Sequence, residues 1–245
     1  MYRIEQVNKL NKDILDLFNE VFPIQPTDGN IRSGVSRLVM LDRYAFKDLK
    51  KLTIAPNDVI VAKVKDDPNF PAMAIAQIVG LDETNQKATI FVYEEYRAPL
   101  EGEAAETGIM TISYSDFEKP MELYYEQIAR RNAFGLASVE ETEEKRKEWF
   151  DKFYNVLANE LLIPAGRVIY GAGSGADVTY FNCYVMPYPK DSREGISEHR
   201  GKTMEIMSRG GGVGTNGSTL RPRNTLARGV NGKSSGSVSW LNDIA

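Results

Sequence analysis

The sequence has few of the residue types that most often build catalytic or metal sites. Its 245 residues include one cysteine, one histidine and two tryptophans. A single cysteine excludes an internal disulfide framework, which suits a reducing compartment. It also leaves no Cys/His cluster at the spacing of metal ligands. We therefore expect neither a structural disulfide nor a metal centre within these residues.

Long apolar runs are also lacking. No stretch reaches the roughly 20 apolar residues that a membrane-spanning helix needs. The N-terminal segment MYRIEQVNKLNKDILDLF carries acidic residues where a signal peptide would have its apolar stretch. We expect a cytoplasmic protein with no membrane partner.

Charge and glycine are unevenly distributed. Residues 1–181 carry 21 basic and 29 acidic side chains, whereas residues 182–245 carry 9 and 5. Of the 20 glycines, 14 lie between Gly166 and Gly236. This composition favours an anion site built from backbone N–H groups and arginines, and the alternative is a loop-rich region with a solvated basic face. Nucleic acid is not the expected partner, because the overall charge is −4 and aromatics are sparse among these basic residues.

The first two thirds of the chain show helical and β patterns in separate blocks. Apolar spacing predicts helices over 8–22, 120–135 and 140–162, the last beginning near Ser138 and ending at Pro164. Between the first two helices, four β-rich runs separated by turn signals predict a small antiparallel barrel or curled sheet over 52–117.

After residue 165 the pattern changes again. The run VTYFNCYVMP predicts a short buried strand that contains Cys183. A helix follows, with Ser192 as its N-cap and Gly210 as its C-terminal stop. The last residues, VSWLNDIA, are typical of the opening turns of a helix, so we expect the chain to be a fragment of something longer.

Two nucleotide-binding motifs match only in part. Residues 212–217 fit GxGxxG, but a predicted helix precedes them and TLRPR follows, whereas that motif needs a strand before it and a helix after it. Residues 232–234 supply the Gly-Lys-Ser of a phosphate-binding loop, but Ala227 stands where its first glycine belongs. A phosphotransferase of that type remains a rival interpretation.

Four arginines close to the glycines are the stronger signal for a nucleotide phosphate, since arginine binds phosphate oxygens bidentately. They are Arg209, Arg221, Arg223 and Arg228. His199 lies on a polar helix face, where a lone histidine is usually exposed. Cys183 is either a small buried hydrophobe or a redox thiol, and the residues alone leave both open.

Several segments in order resemble one family: LLIPAGRVIYGAG, TYFNCYVMP, KDSREGI, RGGGVGTNGSTLRPR and GKSSGSVSWLNDIA. They are similar to the catalytic subunit of ribonucleotide reductase, in particular its adenosylcobalamin-dependent branch. The similarity is dense from about residue 121 onward. The segments SRLVMLDRYAFKD and PNDVIVAKVKDDPNFPA resemble the N-terminal region of one subgroup.

The resemblance implies an α/β protein. An α+β N-terminal region with a small β-barrel-like insertion would be followed by the first strands of a ten-stranded α/β barrel. The expected domains are a helical segment over 1–51, the insertion over 52–117, a helical region over 118–165 and an incomplete catalytic barrel over 166–245.

The resemblance also implies roles for particular residues. Cys183 matches one member of the redox-active cysteine pair that reduces the substrate. The substrate site would be lined by Val168, Asn182, Cys183 and Gly212, and a deoxynucleotide or ATP effector would be bound by Asp191, Ser192, Arg221 and Arg228.

The implied partners extend beyond this chain. They are the C-terminal part of the same reductase, a ribonucleotide substrate, adenosylcobalamin as cofactor, a thioredoxin-like reductant and a second copy in a homodimer. The chain alone is expected to be inactive. A different class remains open, a non-catalytic nucleotide-binding regulatory module in which Cys183 only fills space.

Overall fold

The computed structural model describes residues 33–48, 50–176, 178–227 and 231–244. The predicted helix over 8–22 lies outside these residues. The chain divides into two compact units, residues 1–176 and residues 177–245. The predicted mixed α/β class is confirmed. The domain bounds predicted at 51/52, 117/118 and 165/166 remain predictions.

One five-stranded antiparallel sheet dominates the first unit, in the order β4-β3-β2-β1-β5. Its strands are β1 (Val59–Lys65), β2 (Ala72–Asp82), β3 (Lys87–Val92), β4 (Ile109–Ser113) and β5 (Phe117–Glu118). β4 and β5 are the outer strands, so this part of the chain forms an open sheet rather than a closed barrel. The predicted turns DDPNFP and DETNQ connect β1 to β2 and β2 to β3. In the second turn Asp82 accepts hydrogen bonds from Asn85 N at 3.1 Å and Nδ2 at 2.8 Å.

Helices complete this unit. They are α1 (Gly34–Val39), which continues into a π-helical turn (Met40–Tyr44), α2 (Glu103–Thr107), α3 (Tyr125–Ala137), α4 (Glu143–Ala158) and α5 (Gly166–Gly171). Apolar residues of α3 and α4, including Ile128, Ala133 and Leu157, join the sheet residues Ile60, Ile75 and Ile90 in one core.

The predicted ends of α4 were wrong. Its N-cap is Thr142, whose hydroxyl accepts a hydrogen bond from Lys145 N at 3.3 Å, whereas Ser138 is the C-cap of α3. The helix ends at Ala158, before Pro164, because Glu160 adopts a left-handed backbone with φ of 55°.

The second unit holds short strands and two longer helices. A parallel pair joins β6 (Cys183–Val185) to β7 (Gly212–Gly214), and a hairpin joins β8 (Leu226–Ala227) to β9 (Gly232–Lys233). The helices are α6 (Arg193–Ser208) and α7 (Ser237–Ile244). The predicted cap is confirmed, since the Ser192 hydroxyl accepts a hydrogen bond from Gly195 N at 3.0 Å, and Gly210 follows α6 with φ of 82°.

A buried ion pair fastens α3 to the segments around it. Arg131 and Glu122 are 1% and 0% exposed, and two hydrogen bonds of 2.8 and 3.1 Å join them. The guanidinium also donates to four backbone carbonyls, those of Tyr44, Ile169, Tyr170 and Ala172. Because every polar group of the pair has a partner, the cost of removing two charges from water is largely offset.

Two glycines bring the turn after α5 onto α3. A methyl group on Gly135 would lie 2.1 Å from Gly173 N, which backbone atoms cannot accommodate. Gly173 has a left-handed backbone with φ of 71°, and a methyl group there would lie 2.3 Å from Arg131 O. The turn that follows α5 is therefore fixed by backbone contact as well as by the guanidinium.

Replacing Arg131 with methionine tests the importance of the pair. Arg131→Met leaves the Glu122 carboxylate buried without its cation, so we expect the free energy of unfolding to fall by about 3–5 kcal/mol. Urea unfolding would be followed by Trp149 fluorescence in a Trp240→Phe background, so that the signal comes from the unit that contains Arg131.

Arg43 offers a matched control. Its side chain is 73% exposed and pairs with the neighbouring Asp42, at 2.9 Å. Arg43→Met should change the free energy of unfolding by less than about 0.5 kcal/mol. Equal unfolding midpoints for the Arg131 and Arg43 variants would contradict this account of the ion pair.

Candidate functional site

The strand that carries the cysteine lies beside the glycine-rich strand. β6 and β7 are parallel, with Cys183 opposite Gly212. The amide of Gly212 donates to Asn182 O at 2.7 Å, which fastens the start of the pair. Three of the four residues predicted to line a substrate, Asn182, Cys183 and Gly212, are therefore neighbours, although about thirty residues separate the two strands in sequence.

The Cys183 side chain is exposed, and its predicted burial was wrong. The physical reason is strand alternation, because Cys183 shares its face of β6 with Val185, which is 95% exposed. Cys183 is therefore not a small hydrophobic residue buried in the core of the second unit. A Cβ built on Gly212 would lie 3.5 Å from Cys183 Sγ, so the sulfur lies directly beside a backbone that carries no side chain.

Val168, the fourth of these residues, lies on a helix. It is a half-buried residue of α5, within the first unit. Arg131 donates to three of the carbonyls that follow it, those of Ile169, Tyr170 and Ala172. Its predicted role at a substrate therefore stays a prediction.

Residues expected to bind an effector meet in the second unit. Arg221 Nε donates to both carboxylate oxygens of Asp191, at 3.0 and 2.8 Å, and its terminal nitrogen donates to Asp191 O at 3.0 Å. Ser192 follows directly as the cap of α6. Asp191, Ser192 and Arg221 all line one cavity of about 760 Å³, while Arg228 lies outside the described residues.

This cavity includes residues that sequence reasoning missed. They are Arg193, Ile196, Leu220, Thr225, Leu226, Ala227, Ser234, Ser235, Gly236 and Trp240. The hydroxyls of Ser234 and Ser235 come from the segment first considered as a phosphate-binding loop. Trp240 belongs to α7. The sequence predicted this helix but did not indicate which residues its apolar side chains contact.

The three arginines of the group that the structure describes do not gather at one site. Among these three, Arg221 lines the cavity. Arg209 lies at the end of α6 and pairs with Glu205 at 2.8 Å. Arg223 is exposed, near Gly236. Arg193, which is not among the four, also lines the cavity, so the basic charge described there comes from a partly different set of residues.

His199 is buried, whereas the sequence predicted exposure. It is 4% exposed because Trp240 of α7 covers it, with ring centroids 5.4 Å apart. Its Nε2 is hydrogen bonded to Thr215 Oγ1 at 2.7 Å. The histidine thus joins α6, the loop after β7 and α7, and its position indicates a structural role.

Neither nucleotide motif has its required context. The GxGxxG match begins on β7, which follows α6, and loop residues rather than a helix come after it. Lys233 of the other motif lies in the β8–β9 hairpin instead of at the N-terminus of a helix. Both observations favour the interpretation that these matches are accidental.

Within the described ranges, no group of three or more His, Cys, Asp or Glu side chains is arranged to hold a metal ion. No helix of the described residues is both long and apolar enough to cross a bilayer.

Comparison with protein families gave two matches in the same order along the chain. Residues 108–176 match the family model described as "Ribonucleotide reductase, all-alpha domain", and residues 181–244 match "Ribonucleotide reductase, barrel domain". Together they span more than half of the chain. Strands β1 to β3 lie outside both matches. Comparison with curated proteins gave no match.

The contact between Cys183 and Gly212 can be tested with one methyl group. In Gly212→Ala the new methyl would lie 3.5 Å from Sγ and 3.2 Å from Asn182 O, so it would crowd one side of the thiol. We expect Cys183 to react at least about threefold more slowly with an aromatic disulfide reagent, because thiol reactivity depends on access. Absorbance of the released thiolate reports this residue alone, since the chain has one cysteine.

Gly214 supplies the matched control on the same strand. A methyl group there would meet its nearest neighbour, Tyr184 O, at 3.7 Å, which is ordinary contact. Gly214→Ala should react at nearly the rate of the unmodified chain. Equal slowing in both variants would show that the strand, rather than the contact with sulfur, controls access.

Proposed function

We propose that this chain, which belongs to the ribonucleotide reductase family over the two matched domains, supplies one of the two thiols that reduce a ribonucleotide. The observation that carries the proposal is the exposed Cys183 sulfur beside Gly212, on the parallel strand pair within the barrel-domain match. The family match supports ribonucleotide reduction in general. The residue roles, the radical mechanism and the cofactor are our own assignments.

The chemistry needs a second thiol. Replacing the 2′-hydroxyl of a ribose with hydrogen consumes two electrons and two protons and releases water. Two thiols supply both by forming one disulfide, which an external dithiol then reduces by exchange. The chain contains no second cysteine, so the partner thiol must come from residues other than these 245. We propose a radical reaction in which Cys183 is one member of that pair.

Residues around Cys183 suit the ribose. Asn182 is exposed next to the thiol, and its side-chain amide can both donate to and accept from sugar hydroxyls. Gly212 allows a ligand to approach the backbone closely. We assign Asn182, Cys183 and Gly212 to the substrate. A substrate role for Val168, on α5 in the first unit, is proposed from the resemblance alone.

The cavity at Arg221 is our candidate effector site. Asp191 and the serine hydroxyls offer partners for a sugar or base, and the guanidinium provides a cation for phosphate. Arg221 is now paired with Asp191, and both side chains are about one-third exposed. A phosphate would therefore compete with Asp191 for the guanidinium. We include Arg228 in the same site.

Adenosylcobalamin remains our proposal for the radical source, and its chemistry when bound is homolysis to a radical. The described residues do not form a site for it. The one imidazole, His199, is buried and hydrogen bonded to Thr215, so it is not presented to cobalt. Two cavities of this unit, of about 890 and 760 Å³, are not lined by Cys183. The site would have to come from another part of the reductase.

The remaining partners follow from the same proposal. They are a polypeptide that carries the second thiol, a thioredoxin-like dithiol protein, a deoxynucleotide or ATP effector and a second copy of the chain. The product would be a precursor for DNA replication. A reducing cytoplasm would suit a thiol that must be regenerated after each cycle.

A nucleotide-binding regulatory module remains the second candidate, because the cavity at Arg221 requires no thiol. The exposure of Cys183 counts against this candidate, since its cysteine was expected to be buried filler. The two candidates differ in whether the thiol is needed, which the next experiment measures.

Replacing the thiol should abolish repeated turnover. Cys183→Ser, in a reductase assembled with the polypeptide that carries the second thiol, removes one reducing equivalent. We expect deoxyribonucleotide formation with external dithiol to stop at about one equivalent or less per site, because no disulfide can form. Product per site, measured by chromatography over time, reports the loss.

Val185 provides the control for that substitution. It lies on the same face of β6 and is 95% exposed, so Val185→Ser introduces the same hydroxyl two residues away. This variant should keep steady-state turnover. Normal turnover in Cys183→Ser would exclude the thiol as the reductant and favour the regulatory module.

The effector site is tested separately by direct binding. Arg221→Met keeps a long side chain but removes the cation, so we expect the dissociation constant for a deoxynucleoside triphosphate to rise by about tenfold or more. Titration calorimetry gives the constant. Arg209→Met, at the C-cap of α6 and outside the cavity, should leave it nearly unchanged. Equal weakening by both changes would point to diffuse attraction by basic charge.

A further inference from the structure

We infer that Tyr184 is a positioning residue that fixes the backbone on both sides of Cys183. The inference rests on the proposed role of Cys183 but concerns residues to which neither the mechanism nor the resemblance gives a role. Tyr184 follows the cysteine on β6 and is half-buried. Its ring contacts Gly211 and Phe181, and its hydroxyl contacts Thr179. Gly211 precedes β7, whereas Thr179 and Phe181 precede β6.

The ring faces α6, on the opposite side of β6 from the thiol. Successive side chains of a strand alternate, so fixing Tyr184 inward directs Cys183 outward. A methyl group on Gly211 would lie 2.9 Å from Tyr184 Cε2 and 2.7 Å from Ile206 Cγ2. The ring therefore lies directly against the backbone of Gly211, next to Ile206 of α6. This contact sets the distance between β6 and the turn that leads into β7.

The hydroxyl reaches back to the segment before the strand. Tyr184 OH and Thr179 Oγ1 share a hydrogen bond, and Thr179 Oγ1 also accepts from Phe181 N at 3.1 Å. Residues 180–182 are thereby closed into a loop between Thr179 and the strand. Asn182, the proposed substrate residue, ends this loop, and its carbonyl accepts from Gly212 N at 2.7 Å.

A third contact covers the tyrosine. Phe181 packs edge-on against the Tyr184 ring, with centroids 6.0 Å apart, although Phe181 itself is 70% exposed. The aromatic edge thus shields one side of the Tyr184 ring while leaving the thiol face open. Tyr184 therefore holds the loop through Thr179 and Phe181 and holds β7 through Gly211, and Cys183 lies between these two attachments.

The test removes the hydroxyl contact from either side. Tyr184→Phe keeps the ring against Gly211, and Thr179→Val keeps the volume of Thr179. Either change should loosen residues 180–182 and raise the reaction rate of Cys183 with an aromatic disulfide reagent by about threefold or more, since local opening increases access. The rate would be measured from neutral to mildly alkaline pH on folded chain, verified by circular dichroism.

Conservative and double variants separate positioning from general destabilisation. Thr179→Ser retains the hydroxyl and should restore the original rate. The Tyr184→Phe/Thr179→Val double variant should react no faster than Thr179→Val alone, because Tyr184→Phe removes only a bond that Thr179→Val has already removed. Tyr188→Phe, at a tyrosine that is 64% exposed, is the control and should leave the rate unchanged. An original rate in Thr179→Val, or the same raised rate in Thr179→Ser and Thr179→Val, would overturn the inference.

A second readout connects the contact to catalysis. In the assembled reductase, kcat should fall at least about threefold in Thr179→Val and return in Thr179→Ser, since small displacements of reacting groups slow a reaction. Unchanged kcat in Thr179→Val, with raised thiol reactivity, would show that the contact orders the loop without serving the reaction, and would overturn the positioning role. The thiol measurement needs no turnover, so it still tests the contact if the proposed activity itself fails.

Discussion

The candidate site depends on two adjacent residues without side chains. At Gly211 a methyl group would overlap Ile206 and the Tyr184 ring, and at Gly212 it would crowd Asn182 O and Cys183 Sγ. The first glycine lets α6 and β6 approach each other, and the second leaves one side of the sulfur open. The same two glycines therefore allow Tyr184 to pack on one face of β6 and leave the Cys183 sulfur accessible on the other. A larger residue at either position would push the neighbouring segments apart.

The first unit is held together in a different way. There, one guanidinium and one carboxylate are buried together, and the guanidinium satisfies carbonyls from two segments that are distant in sequence. A buried pair of this kind adds little to stability over apolar side chains of the same size. Its directional hydrogen bonds instead specify where the turn after α5 lies on α3.

Local sequence signals predicted much of this structure, and long-range contacts account for most of the errors. The cap at Ser192 and the turn at Asp82 were recognisable because both use hydrogen bonds within a few residues. The burial of His199 was not recognisable, since Trp240 covers it from 41 positions further along the chain. The end of α4 was missed because Glu160, which is not a glycine, takes the left-handed conformation there. The exposure of Cys183 was missed because the residues around it are apolar, which predicts burial. In the structure its short strand, β6, pairs with the three residues of β7, and the face that carries Cys183 is exposed.

An accessible solitary thiol has a consequence outside any catalytic cycle. Two molecules can meet sulfur to sulfur, and no neighbouring cysteine competes for the bond, so air oxidation would join chains in pairs through Cys183. Such a linkage would cover Asn182 and Gly212 and block the open side of the strand pair. The protein therefore has to be handled under reducing conditions if Cys183 is to remain a free thiol.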